Sequence, residues 1–256
     1  MSPRDFGGRD RRVPTTSTTT DLGQIAFSPD REEWIEYGPE EDRRRVGFHD
    51  YATIYSVPGL YERVFYEELG MCSADVVVGL YGDVLESLGR DGVEERVFDF
   101  GAGSGIGGEL LRREIGAGTV IGLDLEPVAR EAAERDRPGT YDEYFVADLS
   151  AAPEAFEAIA AHDLTALVAV SAVGAGHIPV ELLADTVNRL LRPGGLFAFA
   201  VFAELVPEFF DDFFARVDAE RLGSHEYVHR QQADGSTHAA TAVVAQLRGI
   251  PGVTGR

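Results

Sequence analysis

The chain has 256 residues, 44% of them hydrophobic, which is enough apolar material for one well-packed domain with additions. Its formal net charge of −21 at pH 7 argues against a phosphate backbone or an anionic membrane as the main partner. The single cysteine, Cys72, excludes an internal disulfide, and no run reaches 18 apolar residues. All 23 basic residues are arginines, so sites that depend on a lysine are excluded, such as a P-loop or a pyridoxal Schiff base. We expect a cytoplasmic protein with neither a membrane nor a nucleic-acid partner, of undetermined oligomeric state.

The first third of the chain divides by composition into two predicted segments. Residues 1–27 contain PTTSTTT and few large apolar groups, which predicts a disordered leader. Residues 28–89 are predicted to form a helical cap or lid. Its first helix is expected in SPDREEWIEYG, where Asp30 and Glu33 have capping-box spacing, and the last in ADVVVGLYGDVLESLG.

Residues 90–256 change to short apolar runs that alternate with helical patterns, which predicts a parallel sheet covered on both faces. The helix PEFFDDFFARVDAERL is followed by SHEYVHRQQ and THAATAVVAQL with only the turn ADGS between them, so the last strand should enter the sheet antiparallel. The expected fold class is α/β, a doubly wound, seven-stranded, mostly parallel sheet with an antiparallel last strand and an N-terminal helical cap. The five predicted parallel strands are RVFDF (96–100), TVIGLDL (119–125), EYFVADL (143–149), LTALVAVSA (164–172) and LFAFAVF (196–202).

A glycine-rich turn follows the first of these strands, in VFDFGAGSGIGGELL (97–111). Glycines in such a turn let the backbone approach a ligand closely, and the start of the next helix offers unpaired N–H groups. The glycines at 101, 103 and 105 fit a cofactor of methyl transfer. Those at 103, 105 and 108 match a dinucleotide fingerprint, and those at 101, 105 and 107 match the turn of short-chain dehydrogenases. The glycines alone therefore leave methyl transfer and hydride transfer both open.

Other segments distinguish the two. The stretch D-F-G-A-G-S-G from Asp99 resembles motif I of the class I, Rossmann-like, S-adenosylmethionine-dependent methyltransferases of the small-molecule type. The ADL at 147–149, LRPGGLFAFAVF (191–202) and the terminal hairpin follow in that family's order. Dehydrogenases are disfavoured because the chain lacks the lysine of their tyrosine–lysine pair and its glycines come late in the sequence.

The resemblance implies a methyltransferase that uses S-adenosyl-L-methionine, releases S-adenosyl-L-homocysteine and acts on a small organic acceptor. Whether oxygen, nitrogen or carbon receives the methyl group stays open. Two alternatives also remain: a protein of the same fold that binds the cofactor without transferring the methyl group and, less favoured, an NAD(P)-dependent oxidoreductase.

The resemblance also implies roles for individual residues. Asp99 would anchor the glycine loop near the amino group of the cofactor, Asp124 would accept hydrogen bonds from the ribose hydroxyls, and Asp148 would accept one from the adenine amine. The short helix HDYATIYS (49–56) resembles a tyrosine-bearing helix that closes over the cofactor, although Tyr51 and Tyr55 are equally consistent with core aromatics. The expected cofactor-binding residues are Asp99, Gly101, Ala102, Gly103, Gly105, Asp124, Leu125, Asp148, Leu149 and Tyr55.

The loop SAVGAGHIPVE (171–181) lies where the acceptor should approach, and it lacks the N/D-P-P-Y motif of DNA adenine methyltransferases. His177 in this loop is the candidate general base, because a histidine titrates near neutrality; the alternative is a helix-capping role. His49, His225 and His229 are weaker candidates, and no metal site is expected because no acid accompanies His225 and His229. Four phenylalanines are expected either in the core or along an apolar acceptor pocket: Phe209, Phe210, Phe213 and Phe214.

Overall fold

The computed structural model describes residues 20–28, 33–174, 177–232 and 234–249. Its centre is a seven-stranded sheet in the order β6-β5-β4-β7-β8-β10-β9. β4 to β8 run parallel, whereas β10 pairs antiparallel with both β8 and β9, which confirms the predicted sheet and hairpin. The strands are β4 (Arg96–Phe100), β5 (Thr119–Asp124), β6 (Glu143–Val146), β7 (Ala166–Ala169), β8 (Leu196–Phe202), β9 (Ala219–Gln231) and β10 (Thr237–Leu247).

Helices cover both faces of the sheet, because its central strands are apolar on both sides. One face packs against α5, α6 and α7 through side chains such as Phe156, Leu183 and Phe213. The other packs against α2 and α3 through Tyr81 and Leu110. The helices are α2 (Ser73–Leu88), α3 (Ile106–Leu110) with a π-helical continuation (Leu111–Ile115), α4 (Pro127–Asp136), α5 (Pro153–Ala160), α6 (Val180–Leu190) and α7 (Val206–Arg216).

The segment before α2 is not wholly helical, contrary to the sequence prediction. It contains a three-stranded antiparallel sheet of β1 (Ala26–Phe27), β2 (Trp34–Tyr37) and β3 (Arg44–Gly47). The helix α1 (Tyr51–Ser56) and a π-helical segment (Glu62–Glu68) follow it. Helices are therefore present in the second half of the segment, as predicted. The prediction of a helix in SPDREEWIEYG was wrong, because Trp34–Tyr37 form a strand.

A period-two burial pattern explains the error. Ile35 and Tyr37 are buried on one face of β2, while Glu36 on the other face forms an ion pair with Arg45 of β3 at 2.7 Å. The N–H of Glu33 donates to the Ser28 side chain at 2.7 Å in the connection between β1 and β2, rather than in a helix cap. Asp30, the other member of the proposed capping box, lies outside the described residues.

The predicted leader, residues 1–27, lies mostly outside the described residues. Residues 20–27 are described: Ala26–Phe27 form β1 of the small sheet, and Ile25 is buried in the hydrophobic cluster around that sheet. The domain boundary predicted at Arg90 stays a prediction, although α2, which was assigned to the cap, packs directly on the large sheet. Within the described ranges, no helix has both the length and the apolar character to cross a membrane.

Candidate functional site

The glycine loop joins β4 to α3 and adopts the backbone conformations that glycine permits. Gly101, Gly103 and Gly105 have φ values of +80°, +52° and +91°. A Cβ on Gly101 would lie 2.4 Å from the Cβ of Ala172, and one on Gly103 would lie 2.6 Å from the Tyr55 hydroxyl oxygen. Both the backbone angles and the close neighbours therefore require glycine at these two positions.

Asp124, at the end of β5, holds the glycine loop in place. The N–H of Gly103 donates to Oδ2 of Asp124 at 2.9 Å, and the N–H of Glu126 donates to Oδ1 at 3.0 Å. Burial raises the pKa of Asp124, and these backbone N–H groups act against that rise. Because each carboxylate oxygen has two lone pairs, both can still accept a hydrogen bond from a ligand hydroxyl.

Asp99 lies beneath the same loop and is only 1% exposed. The Tyr141 hydroxyl donates to Oδ2 of Asp99 at 2.8 Å. Burial raises the pKa of Asp99 to about 7, although the hydrogen bond from Tyr141 lowers it. Asp99 faces a narrow cavity of about 40 Å³ that Gly101, Gly103 and Tyr55 also line.

The main cavity, of about 690 Å³, opens at the carboxyl ends of the parallel strands, the edge at which open α/β sheets bind ligands. Its volume lies within the range of small-molecule sites, roughly 300–1,000 Å³. Leu125 is 62% exposed and still faces this cavity, so an apolar surface is available to a ligand. The lining includes aromatic residues (Tyr51, Tyr55, Tyr61, Phe100), acids (Asp124, Glu126, Asp148), histidines (His49, His177) and apolar residues (Leu123, Leu125, Leu149, Ile178, Leu182).

Most of the sequence-predicted cofactor residues meet around these two cavities. Six of them line the main cavity: Tyr55, Gly101, Asp124, Leu125, Asp148 and Leu149. Three others line the narrow cavity: Asp99, Ala102 and Gly103. Gly105 lines neither cavity, since its Cα faces Tyr141, Ala133 and Arg137. Its positive φ starts α3, so its position suits a structural role better than a ligand contact.

Asp148 is exposed at the mouth of the main cavity. Its Oδ1 accepts hydrogen bonds from the backbone N–H of Ser150 at 2.9 Å and from the Ser150 hydroxyl at 2.6 Å. These bonds lower the pKa of Asp148 below its ordinary value, so the group is anionic at neutral pH. An anion here can accept a hydrogen bond from a ligand amine.

Tyr55 covers the glycine loop from above. Asp50 caps its helix, α1, by accepting from the N–H of Thr53 at 3.1 Å. The ring of Tyr55 is stacked on Tyr51 and packs against Tyr61, with ring centroids 6.0 and 5.1 Å away. The aromatic side chains of this segment thus form one wall of the main cavity.

His177 lines the main cavity next to that wall. Its ring centroid is 6.2 Å from that of Tyr51. Burial of part of the ring lowers the pKa of His177, and the neighbouring His49 acts in the same direction. The imidazole is therefore neutral at pH 7, the form that accepts a proton. The preceding residues 175 and 176 lie outside the described residues.

The four phenylalanines do not line the main cavity. Phe209, Phe210 and Phe213 are buried, and Phe213 packs against Phe197 and Phe199 of β8, with ring centroids 5.5 and 5.1 Å away. Three of the four therefore lie on a core face of the helix, which agrees with the first of the two interpretations. The structure contains no cluster of three or more His, Cys, Asp or Glu side chains suited to a metal ion in its described part.

Sequence reasoning missed several residues that build the site. Arg137, on the segment after α4, donates to Glu62 Oε1 at 2.9 Å and to the Ser104 carbonyl at 3.0 Å, which ties the π-helical segment to the glycine loop. The Tyr144 hydroxyl donates to the Gly103 carbonyl at 2.8 Å. Ser171 lines both cavities and has a positive φ of 52°. Glu62 and Arg137 are 75 residues apart, so no local pattern pairs them.

These features fit an adenosine-type cofactor with an amino-acid end. Asp124 offers the hydrogen-bond acceptor that a ribose diol needs, and Leu125 and Leu149 offer apolar surfaces for a flat base. The glycine loop has no side chains at Gly101 and Gly103, so the amino-acid end of the cofactor can approach its backbone. The donor set therefore agrees with the cofactor that the resemblance implied.

Comparisons with known proteins agree with this geometry. A family model described as "Methyltransferase domain" matches residues 98–199, from β4 to β8, which include the glycine loop, Asp124 and Asp148. The match confirms the resemblance drawn from motif I. No curated protein sequence matches the chain.

Solved structures show the same fold. A SAM-dependent methyltransferase from Anabaena variabilis has a TM-score of 0.54 at 20% identity, covering 70% of this chain and 87% of that one. A proposed RNA methyltransferase from Pyrococcus horikoshii has a TM-score of 0.51 at 14% identity, covering 68% and 83%. A geranyl diphosphate C-methyltransferase from Streptomyces coelicolor, solved with S-adenosyl-L-homocysteine, has a TM-score of 0.46 at 12% identity, covering 64% and 74%. At these identities the first two establish the fold, and the acceptors of all three remain properties of those proteins.

Proposed function

We propose that the chain is a class I, Rossmann-like methyltransferase that transfers the methyl group of S-adenosyl-L-methionine to a small organic acceptor. The observation that carries the proposal is the main cavity of about 690 Å³, which six of the ten predicted cofactor residues line together with an aromatic wall. The cofactor of this family is S-adenosyl-L-methionine, and its product is S-adenosyl-L-homocysteine.

The site residues support a definite placement of the cofactor. Asp124 would accept hydrogen bonds from the ribose hydroxyls, and the adenine would lie between Leu125 and Leu149 with its amine towards Asp148. Asp99 and the glycine loop would hold the methionine end. When bound, the cofactor supplies an electrophilic methyl group, and the chain contributes by positioning an acceptor against it.

Two features of the cavity support a small acceptor without negative charge. The described lining includes Asp124, Glu126 and Asp148 and contains no arginine. A phosphate-bearing acceptor would meet these acids and the net charge of −21 without a matching cation. The rings of Tyr51, Tyr55 and Tyr61 also form one wall of this cavity of about 690 Å³, which suits a small organic molecule better than a polymer.

His177 is the proposed general base for an acceptor that must lose a proton. Its neutral imidazole at the rim lies beside Tyr51 and His49, on the side where an acceptor would enter. The expected result for His177→Ala is an unchanged dissociation constant for S-adenosyl-L-homocysteine and a large loss of turnover. Normal turnover would contradict the base role.

The first experiment is calorimetric titration of the protein with S-adenosyl-L-homocysteine, with NADPH as the parallel control. We expect S-adenosyl-L-homocysteine to bind with a micromolar dissociation constant and NADPH not to bind. Binding of NADPH alone would favour the oxidoreductase alternative. An acceptor screen that detects S-adenosyl-L-homocysteine formed from S-adenosyl-L-methionine then separates a methyltransferase from a protein that only binds the cofactor.

A further inference from the structure

Three polar side chains near the main cavity, two of them buried and the third, Tyr227, half-buried, form a hydrogen-bonded cluster outside the residues assigned to the cofactor. Ser73 is the first residue of α2, and Tyr227 and His229 lie near the end of β9. The Ser73 hydroxyl is 2.7 Å from the Tyr227 hydroxyl and is hydrogen-bonded to Nδ1 of His229. Ser73 is 0% exposed and His229 is 5% exposed, so these two side chains hydrogen-bond each other instead of water.

The cluster lies at the ligand-binding edge of the sheet. β9 runs parallel to β8, since both pair antiparallel with β10, so His229 lies at the carboxyl edge with the glycine loop. All three side chains line a cavity of about 20 Å³. A volume of this size holds one water molecule or one hydroxyl oxygen, for which about 10–15 Å³ is needed.

Ser171 connects this small cavity to the cofactor site. The residue lines the small cavity, the narrow cavity beneath the glycine loop and the main cavity. It is one of two non-glycine residues with positive φ in the described part of the chain. Such conformations cost about 1–3 kcal/mol and are concentrated at functional sites. The small cavity, with its polar cluster, therefore adjoins the main cavity at Ser171.

The cluster is uncharged at neutral pH. Burial lowers the pKa of His229 to about 3, with Arg230 and His238 acting in the same direction. Burial also raises the pKa of Tyr227. The guanidinium of Arg230 lies over the ring of Phe48, 5.2 Å from its centroid. A carboxylate or an ammonium in the small cavity would therefore lose its hydration without gaining a counter-charge inside the cluster.

The direction of the hydrogen bonds is also adjustable. If Tyr227 donates to Ser73 and Ser73 donates to Nδ1 of His229, the other imidazole nitrogen carries a proton and is a donor. If the chain of bonds reverses, the same nitrogen becomes an acceptor. A neutral chain with either polarity suits a group that both donates and accepts, such as a hydroxyl.

We propose that Ser73, Tyr227 and His229 form the inner wall of the acceptor site and hydrogen-bond an uncharged hydroxyl group of the acceptor that reaches past Ser171. This inference rests on the proposed function, because it assigns the acceptor side of the same site. It makes the acceptor a neutral alcohol or phenol and gives the three residues a positioning role.

The test follows the imidazole nitrogen resonances of His229 by NMR, in protein labelled with ¹⁵N-histidine. Phenol, benzoate and benzylamine are titrated as neutral, anionic and cationic probes of similar size, with and without S-adenosyl-L-homocysteine. We expect phenol to shift the His229 signals and to bind at least tenfold more tightly than either charged probe. Equal binding of the three probes, or phenol binding that leaves His229 unmoved, would overturn the proposal.

Two conservative variants test the cluster itself, Ser73→Ala and Tyr227→Phe. Both should weaken phenol binding at least fivefold while leaving the dissociation constant for S-adenosyl-L-homocysteine unchanged. The matched control is Tyr81→Phe, which removes another buried hydroxyl, bonded to Glu95 at 2.8 Å at the opposite end of α2. Variants that bind phenol as tightly as this control does would refute the inference. Failure of the wild-type protein to bind S-adenosyl-L-homocysteine would instead refute the proposed function, and the phenol titration would still decide the role of the cluster.

Discussion

Replacing Asp99 with asparagine should stabilise the protein and weaken cofactor binding at the same time. Asp99 is 1% exposed; its Oδ2 accepts a hydrogen bond from the Tyr141 hydroxyl at 2.8 Å, and the backbone of Gly108 also hydrogen-bonds the carboxyl group. Asparagine has nearly the same shape, and its carbonyl oxygen can accept the bond from Tyr141. The substitution therefore removes a buried charge and leaves the packing in place.

The size of the effect follows from linkage. The pKa of Asp99 rises from 3.8 to about 7 because the carboxylate loses its hydration on folding. The folded state therefore holds a proton that the unfolded state releases, so Asp99 destabilises the fold increasingly as the pH rises from 4 towards 7 and above. At about 1.4 kcal/mol for each pKa unit, the cost is about 2 kcal/mol at pH 5 and about 4 kcal/mol at pH 8.

The assay is urea unfolding of the wild type and Asp99→Asn at pH 5 and pH 8. The stability advantage of the variant should be larger by about 2–3 kcal/mol at pH 8 than at pH 5. The affinity for S-adenosyl-L-homocysteine should fall, since the variant lacks the carboxylate proposed to anchor the loop near the cofactor amino group. An advantage that does not depend on pH, or a variant that is less stable at pH 8, would refute the reasoning.

Three further substitutions probe the site. Asp124→Ala should raise the dissociation constant for S-adenosyl-L-homocysteine about 10- to 150-fold, corresponding to about 1.5–3 kcal/mol of lost hydrogen bonds, with an unchanged circular dichroism spectrum; unchanged affinity would contradict the ribose assignment. Glu62→Gln removes one of the two carboxylates that pair with buried Arg137 and should cost about 1.5–3 kcal/mol in urea unfolding, because Glu109 still pairs with Arg137. Glu67→Gln, in an exposed pair with Arg63, should cost under about 1 kcal/mol. Equal losses would refute this. Gly103→Ala should lower the melting temperature and the cofactor affinity more than Gly139→Ala, which has positive φ but no neighbour within 4 Å; similar losses would assign the effect to backbone strain alone.

The parallel strands were predictable because their sequence signal is local. RVFDF is mostly apolar and LFAFAVF wholly so, and the structure places β4 and β8 at the same bounds as the prediction. Strands that are buried on both faces read this way regardless of their partners. The glycine loop was equally predictable from the sequence. Its positive φ values require glycine at positions 101 and 103, and that requirement appears directly as a residue pattern.

The N-terminal sheet was not predictable in the same way. β2 has four residues, and its alternation of buried and exposed side chains is too short to separate from a helical pattern. Its pairing depends on residues elsewhere in the chain, such as Arg45 opposite Glu36 and Ser28 closing the preceding connection. The capping-box spacing of Asp30 and Glu33 therefore predicted a helix in a region where pairing with β3 produces a strand.

The sequence by itself determined the order of the strands along the chain, the glycine loop and the identity of the acids that follow the strands, because each depends on neighbours within a few residues. Only the tertiary structure decided which of these groups are charged or exposed and what surrounds them. Asp99 and Asp148 are chemically identical, yet burial raises the pKa of the first while hydrogen bonds from Ser150 lower that of the second. Ser73 and His229 form one cluster across 156 positions of chain. Desolvation and long-range contact depend on how the whole chain packs, and no local pattern of residues carries that information.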